Sequence, residues 1–183
     1  GVSIGAVTGY TFSTTGEHTV EFKMKSSTIS ASAFTNCYRM ISVVIPDSVT
    51  SIGTYAFYRC SGLTGELVIP DSVTSIGREA FYKCKGLTSL SLGSGLTSIG
   101  YQAFYECTGL VKVVLPKNIT YMQNYAFYGC KSLSMIEIPE TVTEIGSYAF
   151  YGCTNLESIE IPSKVTTIGK VAFCDCDLLK NIT

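Results

Sequence analysis

The chain has 183 residues, with 13 basic and 14 acidic side chains and a hydrophobic fraction of 46%. This balance of charge lacks the basic excess that nucleic-acid binding requires. No apolar run reaches the ~18 residues of a membrane-spanning helix, so we expect neither a nucleic-acid partner nor membrane insertion of this segment. The length suits one domain or a short solenoid.

The first predicted element is an N-terminal cap at residues 1–19. Its stretch GYTFSTTGEHTV alternates around TTGE and predicts a β-hairpin that covers the first edge of the repeat region. The repeat region spans residues 20–183. Its first unit, VEFKMKSSTISASAF, fits the later units only if Val20 and Phe22 are strand positions, and it lacks their proline and glycine. We therefore expect a degenerate first repeat.

A pattern of 23 residues then recurs to the end of the chain. Its Ala-Phe dipeptides begin at Ala33, Ala56, Ala80, Ala103, Ala126, Ala149 and Ala172. The steps between them are 23 residues, apart from a single step of 24. A fixed period in this range predicts a solenoid of about seven stacked repeats. The extra residue falls in LTGELVIP (63–70) and predicts a bulge there.

Each unit begins with a short strand. In LSMIEIPETVTEIGSYAFYGCTN, Leu133 enters the core and apolar residues then alternate at Ile136 and Ile138. Pro139 ends the strand because proline has no amide proton to donate to a β-ladder. Stacked units then place these strands in one parallel sheet.

A turn and a helical segment complete the unit. VTEIG predicts a turn with Val142 and Ile145 pointing inward and a glycine at positive φ. That glycine recurs as Gly53, Gly77, Gly100, Gly146 and Gly169. Gln123 replaces it in one repeat, where we expect an altered turn. SYAFYGC predicts a single helical or 3-10 turn that packs Ala149, Phe150 and Cys153 on one side.

The motifs IPDSVTSIG, IPETVTEIG and AFYxC resemble the bacterial leucine-rich repeats of the BspA type, from about Val20 to Thr183. The resemblance implies an α/β repeat solenoid, a right-handed leucine-rich-repeat superhelix. Its parallel β-sheet would lie on the concave face and its short helical or 3-10 turns on the other. Members of that family are secreted or surface-anchored bacterial proteins described as adhesion or host-interaction modules. An extracellular or cell-surface location is thus the expectation that the resemblance carries.

Seven cysteines occupy the same position of the repeat. They are Cys37, Cys60, Cys84, Cys107, Cys130, Cys153 and Cys176. Parallel side chains at equivalent positions do not all pair as disulfides, and the paired C-x₂-C spacing of zinc sites is absent. We interpret the row as small core residues. The additional Cys174 is either another structural residue or an exposed, reactive thiol.

No catalytic constellation emerges from the motifs. The single histidine, His18, lies in the predicted cap without an obvious nucleophile to activate. Phosphate-binding glycine motifs are absent. Asp47 and Asp71 recur after proline, but serine, lysine or glutamate holds that position in other units, which argues against a calcium ladder. We therefore expect no catalytic residue, no metal and no cofactor.

Two outward rows on the strands are the first candidate binding surface. One row is formed by Val44, Val68, Ser91, Val114, Glu137 and Glu160. The neighbouring row reads Ser42, Glu66, Ser89, Lys112, Met135 and Ser158. The valines either reflect the strand preference of this residue or form a patch for a partner.

A row of tyrosines is the second candidate surface. Tyr58, Tyr82, Tyr105, Tyr128 and Tyr151 follow the Ala-Phe dipeptides directly. Tyrosine combines an apolar ring with a polar tip and suits protein or glycan partners. The alternative is that the rings stack between repeats and have a structural role.

The function expected from these patterns is a non-enzymatic, secreted or surface-displayed module that binds a protein or a glycan. The alternative is a structural spacer that holds another part of a larger surface protein away from the cell and binds nothing itself. The identity of the ligand is not encoded in any motif, and fold analogy alone does not supply it.

Overall fold

A computed structural model describes residues 2–3, 20–21 and 27–183. The strands, in chain order, are β1 Val2–Ser3, β2 Val20–Glu21, β3 Thr28–Ile29, β4 Ser51–Ile52, β5 Gly65–Ile69, β6 Ser75–Ile76, β7 Leu87–Leu92, β8 Ser98–Ile99, β9 Lys112–Val114, β10 Tyr121–Met122, β11 Met135–Glu137, β12 Glu144–Ile145, β13 Ser158–Ile159, β14 Thr167–Ile168 and β15 Asn181–Ile182. Every paired strand runs parallel to its neighbour. The molecule is a parallel β-solenoid of about seven turns, which confirms the predicted repeat architecture.

The first sheet contains the strands that the sequence predicted. Its central part has the order β5-β7-β9-β11, and β13 pairs separately with β15. The long strands end before Pro70 and Gly93, as expected for residues that stop a strand. The register between β5 and β7 shifts between Gly65 and Glu66. This shift confirms the bulge predicted for the 24-residue unit, and Gly65 holds a φ of +75° there.

A second parallel sheet was not predicted. It arises from the two-residue strands in the Val-Thr-x-Ile segments, in the order β3-β4-β6-β8 and then β10-β12-β14. The sheet is interrupted between β8 and β10, next to Gln123. The turn at Gln123 keeps its hydrogen bond from the Ala126 amide to the Gln123 carbonyl, at 3.2 Å. The substitution therefore changes the pairing between repeats and leaves the turn itself intact.

The recurrent glycines do not have the positive φ expected of them, since in the described residues only Gly65, Gly129 and Gly152 do. They are required for a different reason, which is close stacking. A Cβ built on Gly100 would lie 2.5 Å from the carbonyl carbon of Gly77, and one on Gly77 would lie 2.7 Å from that of Gly53. Side chains cannot fit where backbones of successive repeats approach so closely, which explains the break in the second sheet beside Gln123.

The predicted helical or 3-10 turns are wrong, since no helix occurs in the described residues. The Ala-Phe segments are runs of overlapping β-turns. In one repeat the amides of Ala56, Tyr58 and Cys60 donate to the carbonyls three residues earlier, at 3.1–3.2 Å. Tyr55 and Arg59 have φ values of 59° and 57° in the left-handed region, and these interrupt any helix.

The turns are held to one another by backbone hydrogen bonds between repeats. The amides of Tyr55, Phe57 and Arg59 donate to carbonyls of the next repeat, at 2.7–2.9 Å. A helical turn would instead direct each amide to its own chain four residues back. Tertiary pairing of neighbouring turns therefore replaces local helix formation, which the spacing of apolar residues alone does not reveal.

The core is a single stack of equivalent side chains. Phe57, Phe81, Phe104, Phe127 and Phe150 are fully buried, together with the alanines and cysteines beside them. Adjacent phenylalanine rings are nearly parallel, with centroids 5.1–5.9 Å apart. Burial of one such ring contributes about 1.5–3 kcal/mol. The inward position of Ala149, Phe150 and Cys153 is confirmed, although the segment is not helical.

The structure describes only part of the N-terminal region, namely residues 2–3 and 20–21. Val20–Glu21 forms β2 and pairs in parallel with Val2–Ser3. The predicted hairpin, His18 and Phe22 lie outside the described residues. The division into a cap at 1–19 and a repeat region at 20–183 stays a prediction.

Candidate functional site

The first candidate site is the outward face of the first sheet, here called the open face. The register of the sheet aligns Val68, Ser91, Val114 and Glu137 in one row, as the alternation predicted. It aligns Glu66, Ser89, Lys112 and Met135 in the second. Inward neighbours such as Val113 and Ile136 belong to the core. Period-2 alternation therefore places both rows on one accessible surface.

Apolar side chains are exposed along this face. The exposed fractions are 90% for Val44, 53% for Val68, 42% for Val114 and 49% for Met135. Val44 lies in a segment without strand pairing, and Glu160 follows the end of β13. The row thus changes from valine at one end to glutamate at Glu137 and Glu160. Such a graded surface offers apolar contact and negative charge at defined places.

The centre of the open face contains a shallow notch of about 350 Å³. The small side chains of Ser89 and Ser91 form its floor, while Glu66, Lys112 and Val114 are at its rim. The notch exists because serine occupies both rows of β7 where neighbouring strands carry longer side chains. Glu66 and Ser89 belong to the predicted rows, but the depression itself depends on register and was not predicted.

The tyrosine row forms a continuous stack. Centroids of successive rings lie 4.8, 4.7, 4.5 and 4.9 Å apart from Tyr58 to Tyr151, and the planes are within 13° of parallel. Tyr55, Tyr125 and Tyr148 contact the stack from the side, at 5.6–5.8 Å. Neighbouring rings cover the ring faces within the row. The geometry therefore agrees with the alternative that these tyrosines stack between repeats and have a structural role. A role for this row in binding stays a prediction.

Three phenols of the stack have a raised pKa. Burial raises the pKa of Tyr82 and, together with Glu106, that of Tyr105. A hydrogen bond to Asp175 raises the pKa of Tyr151 to about 12. These three side chains therefore present neutral hydroxyl groups at physiological pH.

The cysteine row is part of the core and has a hydrogen-bonding role that the sequence did not indicate. All eight cysteines lie in the described range 27–183 and are free thiols. Each thiol from Cys60 to Cys176 in the row donates to the carbonyl of a phenylalanine in the preceding repeat, 26 residues earlier, or 27 for Cys84, at 3.0–3.3 Å. Burial raises the pKa of Cys60 and of Cys107 to about 12. These thiols are therefore structural and poorly nucleophilic.

Cys174 differs from the cysteines of the row because it is exposed. It occupies the position that tyrosine holds in the preceding repeats. Its thiol donates to Asp175 at 3.4 Å, and this hydrogen bond raises its pKa. The exposed alternative for Cys174 is thus correct, while the raised pKa disfavours a highly reactive thiolate.

The described residues contain no group of three histidine, cysteine or acidic side chains arranged to hold a metal ion. Within the same residues, no helix is long and apolar enough to cross a membrane.

Asp71 accepts hydrogen bonds from the amide and hydroxyl of Ser94, at 2.6 and 3.0 Å, which lower its pKa. This aspartate thus links neighbouring repeats.

Comparison with known proteins places this architecture in a family. The sequence model of the BspA type leucine-rich repeat region matches residues 3–85 and 63–180, in six copies. The chain belongs to the BspA type leucine-rich repeat family. No enzyme family is indicated by this match. A search of curated proteins found no significant match to the chain.

Several solved structures of leucine-rich repeat proteins are similar to this chain. A leucine-rich cell surface protein from Faecalibacterium prausnitzii is 40% identical, with a TM-score of 0.79, over 86% of this chain and 42% of its own. The T. pallidum leucine-rich repeat protein is 33% identical, with a TM-score of 0.78, over 84% of this chain and 71% of its own. A leucine-rich repeat protein from Bacteroides ovatus is 27% identical, with a TM-score of 0.60, over 88% of this chain and 54% of its own. This chain thus spans less than half of the Faecalibacterium protein.

Proposed function

We propose that this BspA type chain is a non-enzymatic module of a bacterial surface protein that binds a protein partner through the open face. The observation that carries the proposal is the outward row of the first sheet, in which Val68 and Val114 are exposed and in register on either side of Ser91. Apolar side chains in register on an accessible face are typical of interaction surfaces. The surface location is supported by the similarity to the Faecalibacterium cell surface protein.

The chemistry of the open face favours a protein over a glycan. Val44, Val68 and Val114 offer apolar area, which protein partners cover with aliphatic and aromatic side chains. Glu137 and Glu160 at the other end attract basic side chains and orient the partner. Leucine-rich repeat proteins in general bind proteins.

The experiment is a binding screen against immobilised host matrix proteins and bacterial surface proteins. The test variant carries Val44→Glu, Val114→Glu and Glu137→Lys, which leaves the net charge unchanged. A matched control carries Thr74→Glu, Thr143→Glu and Glu144→Lys, exposed positions on the second-sheet side with the same charge balance. Circular dichroism and thermal melting establish that both variants fold.

We expect the affinity of the test variant for the partner to fall at least about tenfold, which corresponds to 1.4 kcal/mol. The control should bind like the wild type. Equal binding by the wild type and the test variant would contradict the proposal that the partner binds through the open face.

A spacer is the second candidate function, and the continuous stacks favour it. Phenylalanine, tyrosine and thiol contacts connect each repeat to the next, which makes the coil a stiff body. If the wild type binds no immobilised protein, the spacer function is favoured over the binding function.

A further inference from the structure

A groove of about 640 Å³ lies beside the tyrosine stack. Its lining includes Gly129 and Gly152 together with Tyr128 and Tyr151. It shares no residue with the notch on the open face. The groove is therefore a separate feature of the surface, and we call it the glycine groove.

The glycine groove results from the removal of side chains at one position of the repeat. The same position holds Arg59, Lys83 and Glu106 in earlier repeats, with φ values of 57°, 57° and 48°. Gly129 and Gly152 have φ values of 66° and 70°, so the backbone is closely similar. Earlier in the coil, Arg59 and Lys83 lie against the tyrosine stack, 5.2 and 5.3 Å from the ring centroids of the tyrosines that precede them. At Gly152 this space is open, since a Cβ there would meet nothing closer than 3.8 Å, whereas at Gly129 the Cγ of Glu106 lies 3.1 Å from where a Cβ would be.

Two carboxylates of the lining, those of Glu106 and Asp175, are already held in place. Glu106 is paired with Lys83 at 3.2 Å. Asp175 accepts a hydrogen bond from the phenol of Tyr151. These partners fix both acceptors without enclosing them, since Asp175 is exposed and Glu106 is half-buried.

The remaining walls supply donors and balance the charge. Lys85, Lys131, Thr154 and Asp177 also belong to the lining. Because Glu106 is paired with Lys83, the remaining charges of the lining are the two lysines and the carboxylates of Asp175 and Asp177. The groove therefore has no net charge to attract an ion of either sign.

We propose that the glycine groove binds a neutral, hydroxyl-rich ligand, namely one or two sugar units of a glycan. A hydroxyl group both donates and accepts hydrogen bonds, so one sugar ring suits a lining that contains both acceptor-only carboxylates and donor-only ammonium groups. A net cation would meet Lys85 and Lys131, and a net anion would meet Asp175 and Asp177. The volume lies in the range of about 300–1,000 Å³ that small-ligand sites occupy.

The test uses a printed glycan array with neutral, sialylated and sulfated oligosaccharides, followed by calorimetric titration of the neutral glycan that binds best. Gly152→Lys fills the groove with the residue that the equivalent position Lys83 already holds. A Cβ at Gly152 has no neighbour closer than 3.8 Å, and its φ of 70° resembles the 57° of Lys83, so the substitution adds backbone strain but no clash. Lys131→Ala is a second, exposed variant that removes one donor. Arg59→Lys is the matched control at a filled position of the same row.

We expect the wild type and Arg59→Lys to bind neutral glycans equally. Gly152→Lys should weaken binding at least tenfold, and Lys131→Ala several-fold. The open-face variant should bind glycan normally, which separates this site from the proposed protein-binding surface. Any of four results would overturn the proposal: no neutral glycan bound at millimolar concentration, binding restricted to charged glycans, unchanged binding in Gly152→Lys, or loss in the open-face variant.

Discussion

An interior turn and the last described turn of the coil have the same local sequence pattern but different burial. Ile145 is 1% exposed, whereas its equivalent Ile168 in the last turn is 49% exposed. Phe150 is fully buried, and Phe173 only partly. The interior turn has a neighbour on each side, whereas in the structure the last turn has a neighbour on one side only. The comparison shows that burial in this protein belongs to the contact between repeats and is not a property of one repeat.

The largest difference between these two regions is expected for phenylalanine. Phe104→Ala removes a ring stacked on both faces and should cost about 3–5 kcal/mol of unfolding free energy. Phe173→Ala removes a ring with one stacked neighbour, and we expect roughly half of that loss. Urea denaturation of the two variants beside the wild type measures the difference. Equal losses would contradict the nearest-neighbour account of stability.

A smaller effect is expected at the close approach between backbones. Gly100→Ala places a Cβ 2.5 Å from the backbone of Gly77, and should cost about 1–3 kcal/mol because the repeats must separate. Gly152→Ala is the control, since its Cβ meets nothing closer than 3.8 Å and only its positive φ opposes the change. Chemical denaturation should rank Gly100→Ala as the more damaging. The reverse order would contradict the requirement for close stacking at Gly100.

The interior thiols predict a dependence of stability on pH. The pKa of Cys107 is about 12 in the folded protein, and an unfolded thiol titrates near about 8.5. The unfolded chain therefore loses this proton first, and the stabilising effect of burying the neutral thiol declines as pH rises from 8.5 towards 12. Relative to Cys107→Ser, which does not ionise, wild type should lose about 1.4 kcal/mol per pH unit in this window.

Denaturation of both proteins from pH 8 to pH 11 tests this expectation. Tyrosine ionisation is common to the two proteins and cancels in the difference. A difference that is constant with pH would mean that the thiol ionises equally in the folded and unfolded states.

The smallest effect concerns reactivity without unfolding. Cys174 is exposed, whereas five thiols are fully buried, namely Cys60, Cys84, Cys107, Cys130 and Cys153. A thiol reagent applied to folded protein at pH 8 should label Cys174 first and these five interior thiols only on unfolding. The rate at Cys174 should climb as pH increases, since its pKa is raised by the hydrogen bond to Asp175. Cys174→Ser should abolish the first phase, and its persistence would refute the assignment.

Much of the fold follows from the sequence because the repeat has a strong period. Alternation in LSMIEI places Ile136 inward and Met135 and Glu137 outward, and the register confirms both. The extra residue near Gly65 predicts the bulge by counting alone. The outward rows on the first sheet follow from the same alternation, although whether they bind a partner is a separate matter.

Three features could not be obtained in this way. The second sheet, the β-turns in place of helices and the thiol hydrogen bonds all join residues about one repeat apart. A spacing of i, i+1 and i+4 is compatible with a helical turn, and only the carbonyls of the adjacent repeat decide against it. The glycine groove had a signal in the two AFYGC motifs, but its meaning depends on the side chains that surround Gly129 and Gly152.

The sequence by itself determined the period, the strand positions, the inward residues and the membership of a repeat architecture, because these depend on which residues alternate and recur. The tertiary structure decided why Gly100 is glycine, where the amide of Phe57 finds its acceptor and how exposed Ile168 is. Each of these depends on the distance to a neighbouring repeat, and a linear pattern contains no such distance.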